Sequence, residues 1–496
     1  MLFNSYEFIL IYLPVTLIGF FLLARLAGKL AAATWLTAAS LAFYGWWDAR
    51  YVLLLLASIA VNYTVGVQIA RRRERNPASA KRWLVGGIVF DLGLLAYFKY
   101  TGFLLANLQA ITGVSGEIPD IALPLGISFF TFTQIAFLVD AYQGIAREFR
   151  PVHYGLFVTY FPHLIAGPVL HHKEMMPQFA QDSVYRFDWT SFAVGTTLFV
   201  MGLFKKVIIA DSLVVYVRTA FDAAAAGQAL TLVQSWAGAL AYTCQLYFDF
   251  SGYTDMALGL SMMMGIRLPL NFNSPYKATS IVDFWRRWHM TLSRFLRDYL
   301  YIPLGGNQRG VARRYFNLSA TMWLGGLWHG ASWTFVIWGA LHGAYLLINH
   351  AWRASGLGAK LGAPFPRWLR VAAAVALTFV ATVVAWVFFR AADLPAAWLM
   401  LKGMAGFHGL GAEQLGEMRG QINRILICLV IIWACPNSQQ ILARFRPALE
   451  MPEPGVVAPR WWMWRPGAAW LMAIALAATA ALLSLNQISE FIYFNF

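Results

Sequence analysis

Apolar runs close to the ~20 residues that a helix needs to cross a bilayer recur along this chain, and short segments rich in Lys and Arg separate them. Of its 496 residues, 59% are hydrophobic and only 12% are charged, where a soluble domain carries about 25%. Hydrocarbon offers backbone N–H and C=O groups no partners, so a chain of this kind satisfies them within helices. The expected class is an all-α, polytopic integral membrane protein, with membrane lipids as its first partners.

The formal net charge of +15 does not imply a nucleic acid partner. The basic residues sit in short loops between apolar runs, the pattern that orients a membrane protein with its basic loops inside. Attraction to anionic headgroups accounts for them. Cys244, Cys428 and Cys435 show no paired spacing for a metal or a disulfide framework, and they read as small core residues. Met1 to Glu7 lacks a basic segment, so the run from Phe8 to Leu23 reads as a retained first span rather than a cleaved signal.

The cluster Arg71 to Arg82 marks a cytoplasmic loop. Counting back gives spans near 51–70, 31–47 and 8–24. Counting forward gives a span near 83–98 and an outer loop at 99–122. The stretch Leu123 to Val139 is apolar but irregular, and Tyr160 to Pro168 is too broken for a plain span. An interrupted or re-entrant element is expected there, since irregular backbone is tolerated at membrane depth only inside protein or along a wet cavity. Asp249 and Asp255 lie within long apolar runs and are expected to face the bundle interior. Further spans are read at Tyr315 to His329, Trp333 to Asn349, Val371 to Phe389, Ile422 to Cys435 and Ala468 to Leu485, with an outer loop at 391–421. Both termini then face outward, and the total is roughly ten to twelve crossings at one per ~20 apolar residues plus loop.

The candidate chemistry lies between Trp285 and His342. Trp285-Arg286-Arg287-Trp288-His289 precedes a basic loop, and an apolar segment follows that is broken at Leu324-Gly325-Gly326-Leu327-Trp328-His329-Gly330. His289 and His329 are 40 residues apart and flank one crossing, which sets His329 on the half of the membrane away from the basic loop. The glycines allow close approach of backbone or substrate. Imidazole is the side chain best poised to move a proton near neutral pH. Arginine forks bind phosphates, and indoles stack on a nucleobase, so Trp285, Arg286, Arg287 and Trp288 suit a nucleotide-bearing donor. A juxtamembrane anchor is the plainer account of the same residues. Gly305-Gly306 lacks the strand and lysine of a phosphate loop, and His171, His172 and His342 read equally as interfacial residues.

These motifs, with Asp298-Tyr299-Leu300-Tyr301-Ile302-Pro303-Leu304-Gly305-Gly306-Asn307, resemble the membrane-bound O-acyltransferase (MBOAT) family, in its bacterial polysaccharide O-acetylation branch. Pro124 to Phe129, Phe161 to Pro168, Phe204-Lys205-Lys206 and Tyr247 to Asp255 match as well. The resemblance implies one domain over 1–496, with interrupted helices around a central tunnel. It implies His329 as the catalytic histidine, His289 as the second and donor-side one, and Asn307 as a residue of the same motif. The C-terminal Phe491-Ile492-Tyr493-Phe494-Asn495-Phe496 resembles an aromatic motif of the branch, which makes Tyr493 a possible acyl carrier. The implied activity takes acetyl from acetyl-CoA to an exported polysaccharide such as alginate or cellulose, through a periplasmic acetyltransferase partner. No bound cofactor and no metal are expected. D-alanyl transfer to teichoic acid and a non-enzymatic lipid or polysaccharide carrier are the alternatives.

Overall fold

The computed structural model describes residues 1–357, 364–451 and 460–486. Among them every regular element is helical. Four helical stretches are long and apolar enough to cross a bilayer: Glu7–Leu26, Arg50–Arg72, Pro77–Thr112 and Arg367–Arg390. Tyr493 lies outside the described residues.

Several sequence expectations need correction. The span near 83–98 does not end at residue 98, because the helical stretch Pro77–Thr112 continues to Gly113, whose φ of 71° stops it. Lys99, within that helical stretch, bonds Ser128 Oγ at 3.3 Å. The stretch from Leu123 holds a regular helix, Ile127–Gln143, whose irregularity is confined to the cap at Gly126 (φ 70°). Its threonines are buried in the helix rather than breaking it. The interruption at 160–168 is present: Pro151–Thr159 stops at Tyr160 (ψ 106°), and Phe161–Leu164 restarts it. Pro162 sits in the first turn of the restarted helix, where its missing N–H costs nothing, and the break falls at Tyr160, two residues before it. The expected outer loop at 391–421 contains a helix, Leu394–Met404, capped by Asp393 accepting from Ala396 N–H at 2.8 Å. Cys435 is exposed, whereas Cys244 and Cys428 are core residues.

The chain divides into two compact units. The first comprises Met1–Leu203, Tyr253–Leu270 and Leu442–Ala478. Its centre is aromatic, with Phe3 stacked on Tyr253 at 4.7 Å and Phe161 edge-on to Tyr12 at 5.4 Å. Close approach of backbones is secured by glycine: a Cβ on Gly195 would lie 2.6 Å from Gly259 O, the small-residue contact that lets helices pack where lipid supplies no hydrophobic drive. The buried Asn62 donates to Asp91 Oδ1 at 2.7 Å, pairing a carboxyl within a helix that could not otherwise be accommodated in hydrocarbon.

The second unit comprises Phe204–Gly252, Asn271–Ile441 and residues from Thr479 onward. Lys206 lies in a π-helical turn, Lys205–Ala210, that continues Trp189–Phe204. Its Nζ is 2.7 Å from Asp211 Oδ1 and 2.6 Å from Asp249 Oδ1, and all three side chains are buried. The acidic residue read as inward-facing therefore pairs with the lysine of the Phe204-Lys205-Lys206 motif. Breaking such a buried set from one side leaves a charge uncompensated at a cost of about 3–5 kcal/mol. Asp249→Ala is expected to lower the unfolding midpoint in detergent sharply, and Lys206→Met with Asp211→Leu and Asp249→Leu to regain most of it. An unchanged midpoint in Asp249→Ala would remove the triad from the account of stability.

Candidate active site

Two segments of the second unit are laced together by backbone bonds. Asn273 N–H donates to Arg287 O at 2.9 Å, and Met290 N–H donates to Asn271 O at 3.0 Å. Between them His289 takes a left-handed backbone (φ 43°, ψ 52°) and opens the helix Met290–Leu296. That conformation costs a non-glycine residue roughly 1–2 kcal/mol. It persists here because the lacing, and Ser293 N–H donating to His289 O at 3.0 Å, determine the chain on both sides.

The side chain of Asn271 sets the chemistry of this histidine. Its Oδ1 accepts from Thr291 Oγ1 at 2.9 Å and from Thr291 N–H at 3.4 Å. A backbone N–H can only donate, so the atom facing it is an acceptor. The contact of His289 Nδ1 with the same oxygen at 3.0 Å is then an N–H donated by the ring. Neutral His289 thus carries its proton on Nδ1 and a lone pair on Nε2. The imidazole is fully buried, and Nε2 has no hydrogen-bond partner among the described residues.

His329 arrives from the other side. Gly310–His329 runs unbroken through Gly325-Gly326, and the chain leaves helix only at 330–332 before Trp333–Ser355. The break expected at Leu324–Gly330 is therefore confined to its last residue. The glycines serve helix contact: a Cβ on Gly326 would lie 2.4 Å from Phe335 O and 3.0 Å from Gly339 Cα, and one on Gly330 would lie 2.1 Å from the Phe335 ring. The hairpin can close only without side chains there.

The two histidines are not on opposite halves of the unit. Their ring centroids are 6.3 Å apart. After His289 the chain advances through Met290–Leu296 and Arg297–Tyr301, roughly 18 Å of helix at ~1.5 Å per residue, before turning at 302–309. Gly310–His329 then returns past that stretch, with Gly325 against Leu296. Aromatic rings surround the pair. Phe250 stands edge-on to His289 at 4.9 Å, and Trp328, Trp338 and Phe389 meet His329 at 4.9, 5.1 and 5.1 Å.

Of the other expected residues, Trp288 is buried beside Phe272 (5.0 Å) and Trp386 (4.9 Å), and Trp285 is half-buried against Trp338 (5.9 Å). Arg286 is exposed, while Arg287 Nε bonds Asp283 Oδ1 at 2.8 Å. Asn307 is exposed in the turn at 302–309. The asparagine that touches a histidine is Asn271, which sequence reading missed: eighteen residues separate it from His289, and only folding joins them. The Trp386 and Phe389 side of the shell was also missed, since an aromatic in an apolar run carries no signal of its own. His171, His172 and His342 are all buried within the protein. Among the described residues no group of three His, Cys, Asp or Glu side chains could hold a metal ion.

Comparison with known proteins bears on this geometry. The model of MBOAT, the membrane-bound O-acyltransferase family, matches residues 127–389, a span that holds Asn271, His289 and His329. A peptidoglycan O-acetyltransferase of Helicobacter pylori is 43% identical over 468 residues, covering 88% of this chain and 86% of its own. A probable alginate O-acetylase of Pseudomonas aeruginosa is 39% identical over 545 aligned positions that span all of both chains. A teichoic acid D-alanyltransferase of Bacillus subtilis is 32% identical over 233 residues, covering 44% of this chain and 56% of its own.

The tautomer can be tested directly. With histidine labelled by 15N, the His289 signal, identified by its loss in His289→Gln, is expected at shifts of an Nδ1–H ring. Asn271→Leu should move it toward the Nε2–H form and cost about 1–3 kcal/mol through the orphaned donor. A wild-type Nε2–H ring contradicts the assignment.

Proposed function

The chain belongs to the membrane-bound O-acyltransferase family and is an acyltransferase, and from that premise we propose that it passes acetyl from acetyl-CoA to an exported polysaccharide. The donor binds on the face carrying the basic loops, Arg286 among them, which lies in the cytoplasm of a bacterium whose inner membrane holds the protein. Roughly ten to twelve crossings at ~20 apolar residues each, with both termini outside, complete this reading. A periplasmic acetyltransferase partner receives the acetyl group, and the polymer is an alginate-like, cellulose-like or peptidoglycan glycan.

The observation that carries the reading is the pair of imidazoles 6.3 Å apart in a shell of rings. His329 accepts the proton of the attacking hydroxyl, whose oxygen forms a bond to the thioester carbonyl carbon. The tetrahedral intermediate collapses, the C–S bond breaks, and the proton passes from His329 to the departing thiolate. A lone imidazolium is costly among aromatic rings. The lone pair that Asn271 fixes on His289 Nε2 belongs to a ring 6.3 Å away, and its dipole lowers the cost of that charge. The water-excluding surroundings strengthen that interaction at the moment of reaction.

Acetyl transfer is preferred to D-alanyl transfer because the similarity to O-acetyltransferases runs along 88% to 100% of the chain, against 44% for the D-alanyltransferase. A carrier of lipid or polysaccharide would require neither histidine. Tyr493 is the candidate to take the acetyl group on the outer side, and Asn307 lies in a motif the family resemblance highlights.

The test is thioester cleavage by the purified protein in nanodiscs with radiolabelled acetyl-CoA. His329→Ala is expected to lower cleavage by about 10²–10⁴-fold, the worth of a positioned base. His289→Ala should lower it less, and Tyr493→Phe should abolish label on the protein and lower cleavage to the rate at which water replaces the tyrosine hydroxyl. Cleavage that survives in His329→Ala defeats this acyltransfer mechanism.

A further inference from the structure

Three nitrogen-bearing rings beside the histidine pair take no part in the proton transfer between hydroxyl, His329 and thiolate. His342, in the helix Trp333–Ser355, is fully buried, and neither of its ring nitrogens has a hydrogen-bond partner among the described residues. The indole N–H groups of Trp285 and Trp338 are likewise buried and unpartnered there. The rings form a row. Trp285 stands edge-on to His342 at 5.1 Å, His342 meets Trp338 at 4.7 Å, and Trp338 meets His329 at 5.1 Å. One end of the row is the half-buried Trp285, next in sequence to the exposed Arg286, and the other end is the proposed base.

Buried polar atoms are nearly always paired, because water paired them before folding. N–H groups pointed at ring faces recover only part of that loss. Four nitrogens in one row therefore favour a ligand that supplies both donors and acceptors. An acyl chain supplies neither. A chain of amides supplies both: each carbonyl accepts from an indole N–H, and each amide N–H donates to the unprotonated nitrogen of a neutral imidazole.

We infer that Trp285, His342 and Trp338 recognise the amide-bearing, pantetheine-type arm of the thioester donor, with His342 a positioning residue that bonds an arm amide while the thioester carbon lies at His329. The inference rests on the donor being such a thioester, as in the proposed function. Trp285, half-buried and edge-on to His342, is the member of the row nearest solvent. The arm comes either from coenzyme A or from a carrier protein bearing the same group.

The experiment follows cleavage of labelled acetyl-CoA by the full-length protein in nanodiscs. Pantetheine, adenosine 3′,5′-bisphosphate and a phosphopantetheinylated carrier protein are the competitors. His342→Phe keeps a ring and removes both nitrogens, and Trp285→Phe removes one N–H from a partly exposed position. Each is expected to raise the KM for acetyl-CoA and the inhibition constant of pantetheine about five- to tenfold, the worth of one hydrogen bond. The maximal rate and the inhibition by adenosine bisphosphate should hardly change, and His342→Gln should regain most of the affinity. If the carrier protein competes more tightly than pantetheine and weakens in parallel, it is the source of the arm; otherwise coenzyme A is. Unchanged pantetheine inhibition in both variants, or a loss in maximal rate alone, overturns the inference. Should His342→Phe fail to fold, Trp285→Phe decides. His329→Ala, measured alongside, separates the two failures: cleavage surviving there defeats the acyltransferase mechanism, while cleavage lost there with pantetheine binding intact in His342→Phe defeats only the arm.

Discussion

One carboxamide oxygen organises the reactive part of this molecule. Asn271 Oδ1 accepts from the Thr291 hydroxyl and from the His289 ring, and the Asn271 backbone carbonyl accepts from Met290 N–H. Those bonds hold the left-handed backbone at His289, place its imidazole under Phe250, and decide which nitrogen carries the proton. Everything else about the histidine pair follows from that placement, because the return of Gly310–His329 brings the second ring to where the first already is.

Much of the helical architecture was legible from the spacing of apolar runs. The spans near 8–24, 31–47 and 51–70 correspond to Glu7–Leu26, Lys29–Gly45 and Arg50–Arg72. Errors arose in the placing of helix ends and breaks. The stretch after residue 98 reads as a loop although Pro77–Thr112 is continuous helix, and Gly325-Gly326 reads as a break although it is a contact surface. Glycine in a membrane helix carries two opposite meanings, flexibility and close packing, and only the partner helix distinguishes them.

The candidate site was legible in its members but not in its geometry. Trp285, Trp288, His289 and His329 do converge, while Asn307 and Arg286 are exposed. Assigning His289 and His329 to opposite halves failed because it counted one crossing and ignored the helical stretch Met290–Tyr301 that precedes the turn. Asn271 escaped notice for a different reason. It belongs to a segment without regular structure, whose polar groups acquire meaning only through the chain they pair with.

The hairpin that carries His329 has a consequence for biosynthesis. Gly310–His329 and Trp333–Ser355 are joined by three residues and closed by glycine contacts, so they can form as one unit with the histidine at its tip. Phe389, part of the wall around that histidine, is translated 60 residues later, at the end of Arg367–Arg390. During synthesis the ring therefore waits, walled by Trp328 and Trp338 on the hairpin's side, for the helix that brings Phe389. A nascent chain arrested in that interval holds the reactive side chain in an incomplete enclosure, so reactivity begins as a late event of assembly rather than a property of the hairpin.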